Sequence, residues 1–122
     1  KKLDRWNKVS AEAVKQCRRG VIPEITKSMS FSGMLNYLGE YDLVLFPYED
    51  EIKVSIKAVL RNLTEPKKNI AVIIGPEGGF SETEASSVVA AGGQSVTLGK
   101  TILRTETAGP AVLAMIMYEL EI

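Results

Sequence analysis

The chain has 122 residues, the length of one domain, with 45% apolar and 25% charged side chains and no formal net charge; this is the composition of an ordinary globular protein able to bury a core. It contains no histidine and a single cysteine, Cys17, which excludes a Ser-His-Asp triad, histidine-based proton transfer, histidine metal sites and an internal disulfide, and argues against a zinc site. No apolar run reaches the roughly 18–20 residues that span a bilayer, and Lys1-Lys2-Leu3-Asp4-Arg5-Trp6 lacks the apolar core of a signal peptide, so the expectation is a cytoplasmic protein with neither a membrane nor a metal partner.

In chain order, the spacing of Trp6, Val9, Ala13 and Cys17 predicts a helix over residues 4–19 with an apolar stripe that packs Trp6 into a core. Gly20 and Pro23 stop it. Arg5, Lys8, Glu12, Lys15 and Arg19 recur on another face of the same helix. Residues 1–27 hold eight basic and three acidic side chains, whereas the remainder is acidic by the same margin. A basic end on a neutral chain suits a polyanion, and a solvated helix face accounts for the same charges. A short helix is predicted from Phe31 to Leu38, ended by Gly39. The run Leu43-Val44-Leu45-Phe46, closed by Pro47, suits a strand buried on both faces of a parallel sheet. An amphipathic helix is predicted over Glu51–Asn62 with Ile52, Ile56, Val59 and Leu60 on one side. A buried strand follows at Ile70–Ile74, then a helix over Ser81–Ala91 with Ser81 and Glu84 as a capping box. Ser95–Leu98 reads as a third strand, and Thr107–Leu120 as the last helix. The stretch from Ala111 to Met117 is apolar all the way round, the mark of a helix covered on every side, either by its own chain or by a partner subunit. Strands alternating with helices give an α/β fold, a mostly parallel sheet with helices on both faces.

Two segments carry the chemistry. Ile74-Gly75-Pro76-Glu77-Gly78-Gly79-Phe80-Ser81 joins a predicted strand to a capped helix, and in open α/β sheets ligands bind beyond the carboxyl ends of the strands. Its glycines permit sharp turns and close approach to a ligand. The segment lacks the G-K-[ST] of a Walker loop and is not G-x-G-x-x-G, and Glu77 and Glu84 would repel a polyphosphate. A tight structural turn explains the glycines as well. Leu98-Gly99-Lys100-Thr101-Ile102-Leu103-Arg104-Thr105-Glu106-Thr107-Ala108 again follows a strand and leads into a helix. Arg104 and Glu106 there are either functional or an ordinary surface ion pair.

Together, I-G-P-E-G-G-F-S-x-x-E and L-G-x-x-I-L-R-T-E-T-A, preceded by Arg5-Trp6, Ala13, Gln16, Arg18, Arg19 and Pro23, make the chain resemble the small-subunit ribosomal RNA methyltransferase E family of the SPOUT superfamily along essentially its whole length. The resemblance implies that residues 1–122 form a SPOUT methyltransferase domain, incomplete at its amino end and without the family's PUA-like RNA-binding barrel. It implies a carboxyl-terminal trefoil knot, which general rules of chain connection disfavour, and a homodimer. It implies S-adenosyl-L-methionine as cofactor, and methylation of N3 of a uridine in 16S ribosomal RNA or the small ribosomal subunit. Donor contacts are thereby expected at Phe46, Pro47, Glu49, Ile74, Gly75, Pro76, Gly78, Gly79, Leu98, Gly99, Ile102, Leu103, Arg104 and Thr107.

The uridine N3 proton must leave during methylation, so a proton acceptor or a group stabilising the uracil anion is needed. Without histidine, Arg104 is the candidate cation and Glu106 the candidate acceptor or orienting carboxylate. Other readings are a SPOUT methyltransferase of tRNA or another ribosomal position, a non-catalytic RNA-binding or dimerisation module, and a nucleotide-binding regulator. Arg5, Lys8, Lys15, Arg18 and Arg19 are the expected RNA-phosphate contacts. Replacing Arg5, Arg18 and Arg19 together by alanine is expected to weaken RNA binding. The slope of log affinity against log salt should fall by about one unit for each phosphate no longer neutralised. An unchanged slope would identify the cations as a solvated face.

Overall fold

The computed structural model describes residues 2–17, 23–100 and 103–121, with side chains in the first stretch from residues 2–13. It comprises two compact units, residues 1–30 and 31–122. The first holds helix α1 (Lys2–Cys17) and an extended segment from Pro23. Asn7 ties the two together. Its side-chain amide donates to the Ile25 carbonyl at 3.1 Å, and its carbonyl oxygen accepts from the Ile25 N–H at 2.8 Å. The Ser10 hydroxyl donates to the Pro23 carbonyl at 2.6 Å. One helix and one extended segment bury little apolar surface. Trp6 is accordingly 43% and Val9 62% exposed, which corrects the expectation that the α1 stripe packs Trp6 into a core.

In the second unit the elements are α2 (Phe31–Tyr37), a 3₁₀ turn (Leu38–Glu40), β1 (Leu43–Pro47), α3 (Ile56–Arg61), β2 (Ile70–Val72), α4 (Glu82–Ala90), β3 (Gln94–Val96) and α5 (Thr105–Leu120). The sheet is parallel throughout, in the order β2-β1-β3. Leu45 of β1 faces Val72 on one side and Gln94 on the other. Because side chains alternate along a strand, Leu45 enters one core with Ile56, Leu60, Val96, Val112 and Ile116. Val44 and Phe46 enter a second core with Leu38, Ala85 and Val88. Helices α3 and α5 therefore cover one face and α2 and α4 the other, as the α/β reading expects.

Several boundaries differ for local reasons. Gly39 does not end α2 abruptly, and the chain tightens through the 3₁₀ turn instead. The Glu51 carboxylate turns back to accept from the N–H groups of Lys53 and Val54, and Ser55 caps α3 through the Ala58 N–H at 3.0 Å. Side chains that compete for backbone donors favour caps and turns over helix interiors, so the helix expected over residues 51–62 shortens to six residues and Ile52 is left 82% exposed. The strand β2 lies at a sheet edge and is half-buried rather than fully buried. The capping box of α4 is formed as expected, Ser81 Oγ accepting from the Glu84 N–H at 3.1 Å and Glu84 accepting from the Ser81 N–H at 2.9 Å. Helix α5 starts two residues before its predicted position and includes Pro110. Ala108, Val112 and Ile116 are buried on one side of it, while Leu113, Met117 and Tyr118 are 56%, 53% and 84% exposed. Among the described residues of this unit, only one face is thus covered.

The Ser81→Ala substitution removes one arm of the capping box and is expected to lower unfolding free energy by about 1 kcal/mol, read as a reduced urea midpoint at unchanged m-value.

Candidate functional site

A parallel sheet places the carboxyl ends of all its strands at one edge, and here three loops meet there. From β1 come Pro47, Tyr48 and Glu49; from β2, Ile74 to Glu77, Gly79 and Phe80; from β3 and the start of α5, Val96 to Gly99 and Leu103 to Glu106, with Ala108. They enclose a cleft of about 470 Å³, within the size range of small-molecule sites.

The loops are held by backbone geometry and a few side-chain ties. After β1, the Glu51 carboxylate accepts from the Ser95 hydroxyl as well as from Lys53 and Val54, fastening the loop to β3. Val54 and Ser55 then pair with Thr97, whose N–H donates to the Val54 carbonyl at 2.8 Å. After β2, the Gly79 N–H donates to the Pro76 carbonyl at 2.8 Å. Gly79 has φ of +78°, a backbone state that side chains with a Cβ rarely adopt. Phe80 folds back over the loop. A Cβ on Gly75 would lie 3.0 Å from its ring, and that ring packs edge-on against Phe46 with centroids 5.9 Å apart. The Thr105 hydroxyl donates to the Gly75 carbonyl at 3.2 Å, joining the β2 loop to the first residue of α5.

The lining is mixed. Pro47, Ile74, Phe80, Leu98 and Leu103 supply apolar surface; Glu49, Glu77 and Glu106 supply carboxylates, and Arg104 a guanidinium. Arg104 and Glu106 are both exposed and no ion pair joins them among the described residues. The Arg104 main chain is the N-cap of α5, its carbonyl accepting from Thr107 and Ala108 at 2.9 and 2.8 Å. Burial, and then the neighbouring Asp50 carboxylate, push the Tyr48 phenol above its ordinary value. The Glu51 carboxyl is held below its ordinary value by the bonds from Ser95, Val54 and Lys53.

Of the residues expected from the sequence, Pro47, Glu49, Ile74, Gly75, Pro76, Gly79, Leu98, Gly99, Leu103, Arg104 and Glu106 converge on this cleft. Phe46 is fully buried behind it, supporting the Phe80 and Tyr48 rings. Gly78 and Thr107 are exposed and lie outside the lining. Arg5 and Lys8 are exposed on α1. Ile102, Arg18, Arg19 and the side chain of Lys15 lie outside the described residues. Sequence reasoning missed Tyr48, Glu77, Phe80, Val96, Thr97, Thr105 and Ala108. Glu77, Phe80, Thr105 and Ala108 sit inside the quoted motifs and Tyr48 between two expected contacts, so adjacency was the available signal; Val96 and Thr97 enter only through strand register.

Residues 1–117 match the family model described as RNA methyltransferase domain. The chain is 33% identical, over its entire length and 49% of the relative, to the ribosomal RNA small subunit methyltransferase E of Bacillus subtilis (strain 168). It is 36% identical, over 88% of the chain and 45% of the relative, to the protein of that name from Mesomycoplasma hyopneumoniae (strain 232). The crystal structure of a ribosomal RNA small subunit methyltransferase E from Neisseria gonorrhoeae bound to S-adenosyl methionine superposes with a TM-score of 0.81 at 31% identity, over 96% of this chain and 47% of that one. The chain thus spans about half the length of the curated relatives it matches.

A carboxylate bound more tightly in its ionised form stabilises the fold above the ordinary carboxylate range, and that contribution disappears as pH falls through the depressed native value. Thermal melts between neutral and acid pH are therefore expected to show Glu51→Gln less stable than wild type near neutrality. The gap should close as the medium is acidified; a constant gap would assign the loss to packing.

Proposed function

The chain belongs to the RNA methyltransferase domain family, and from that premise we propose that it forms the donor-binding and catalytic part of an S-adenosylmethionine-dependent enzyme that methylates N3 of a uridine in 16S ribosomal RNA. The observation that carries this reading is the cleft at the carboxyl edge of the sheet, built by the two glycine-containing loops that also carry the resemblance. Its likeness to small-subunit methyltransferase E proteins, one of them solved with the donor bound, supports the choice of ligand and substrate.

The cleft fits the donor chemically. S-adenosylmethionine combines an apolar adenine face with a permanently cationic sulfonium, and among the described residues the lining combines eight apolar side chains with three carboxylates against one guanidinium. The same carboxylates disfavour a polyphosphate. When bound, the donor supplies an electrophilic methyl group on the sulfonium; the chain supplies position. Holding the acceptor atom about 3–3.5 Å from the reacting carbon and in line contributes roughly 7–11 kcal/mol. Arg104 stands beside the uracil oxygens and favours the anionic base. Glu106 accepts the N3 proton or orients Arg104. Arg5, Lys8, Lys15, Arg18 and Arg19 contact RNA phosphates.

The family reading further supports a trefoil knot at the carboxyl end, threading the segments that line the cleft. It also supports a homodimer formed through the exposed face of α5, where Leu113, Met117 and Tyr118 leave a large apolar surface in water.

Calorimetric titration is expected to show saturable binding of S-adenosylmethionine and none of ATP. Arg104→Ala is expected to lower kcat by about 10²–10³-fold, the scale of losing one charge-stabilising donor, with donor affinity little changed. Near-normal turnover in that variant would remove Arg104 from the mechanism, and absent donor binding would remove the site.

A further inference from the structure

The two segments lining the cleft are separated by 30 residues where they touch, at Gly75 and Thr105. Thr105 opens α5, yet its hydroxyl does not serve the helix: its proton goes across to the Gly75 carbonyl. A hydroxyl has one proton to donate, so the bond commits it. Gly75 is confined from another direction by the Phe80 ring, which a Cβ would meet at a tight 3.0 Å and which is itself braced on Phe46. One turn along α5 from Thr105, a Cβ on Gly109 would lie 3.9 Å from Ile74 Cγ1. Residues four apart share a helix face, so the first turn of α5 meets Ile74 and Gly75 through one polar and one small residue.

Resting on the donor-site reading above, we propose that Thr105 is a positioning residue for the donor: by holding the Gly75 carbonyl it fixes the β2 loop against the start of α5, so that both walls of the cleft keep one spacing. The donor then binds without having to order the loop, and affinity gains what ordering would otherwise cost. Thr105 acts through Gly75 and carries no part of the methyl transfer. Its removal affects how well the donor is held, not how fast a bound donor reacts.

The test compares Thr105→Ser, Thr105→Val and Thr105→Ala with wild type in the full chain, by calorimetric titration with S-adenosylmethionine, thermal melting and steady-state kinetics on RNA. Serine is expected to retain the wild-type Kd. Valine, which keeps the shape and loses the hydroxyl, and alanine are expected to raise Kd and the donor KM about fivefold, the ratio a typical single net hydrogen bond supports, with kcat at saturating donor unchanged. Should valine fail to fold, serine against alanine decides by the same ratio. Equal Kd values across the variants overturn the inference and leave the donor site standing. A folded wild type that binds no donor overturns the donor site, and this inference with it.

Discussion

A strand hydrogen-bonded to parallel neighbours along both edges has two faces to bury, and β1 is that strand. Leu45 and Phe46 are completely inaccessible and Val44 nearly so, and they point alternately into the two cores. Helices must then lie on both faces, and each parallel connection must return along one of them. The same parallelism brings all three strand ends to one edge. The cleft follows from burying β1: the loops that leave β1, β2 and β3 have nowhere else to converge.

The chemistry available at that edge is set by backbone more than by side chains. Gly79 takes a positive φ so that its N–H can close the turn onto Pro76, and Gly75 lacks a Cβ where the Phe80 ring needs the space. The polar side chains at the site do two kinds of work. Glu51 and Thr105 are directed at main-chain and hydroxyl groups and hold the loops, whereas Glu49, Glu77, Arg104 and Glu106 line the space and carry its charge. Among the described residues the lining carries three carboxylates and one guanidinium, an excess of negative charge that favours a cationic ligand over a polyphosphate.

The places where sequence pattern and structure diverge share a cause. Ile52 fits a helical apolar face by spacing, but Glu51 and Ser55 offer the backbone competing hydrogen bonds and the helix begins only at Ile56. Trp6 and Val9 fit a buried stripe, but periodicity describes which residues share a face and not whether another element covers it. The uniform apolarity of α5 likewise marks a helix suited to burial on every side, while the described residues of its unit cover only the face of Ala108, Val112 and Ile116.

The features legible in the order of residues alone were local or periodic: the alternation of strands and helices, the buried run at Val44–Phe46, the Ser81–Glu84 capping box and the two motif loops. Each rests on interactions spanning a few residues, or on motifs long enough to identify a family. Folding in three dimensions set the order β2-β1-β3, the half-buried edge position of β2, the entry of Val96 and Thr97 into the cleft, and the Thr105–Gly75 bond across 30 residues. These depend on strand register and on which segments meet in space, and neither leaves a short-range trace in the order of side chains.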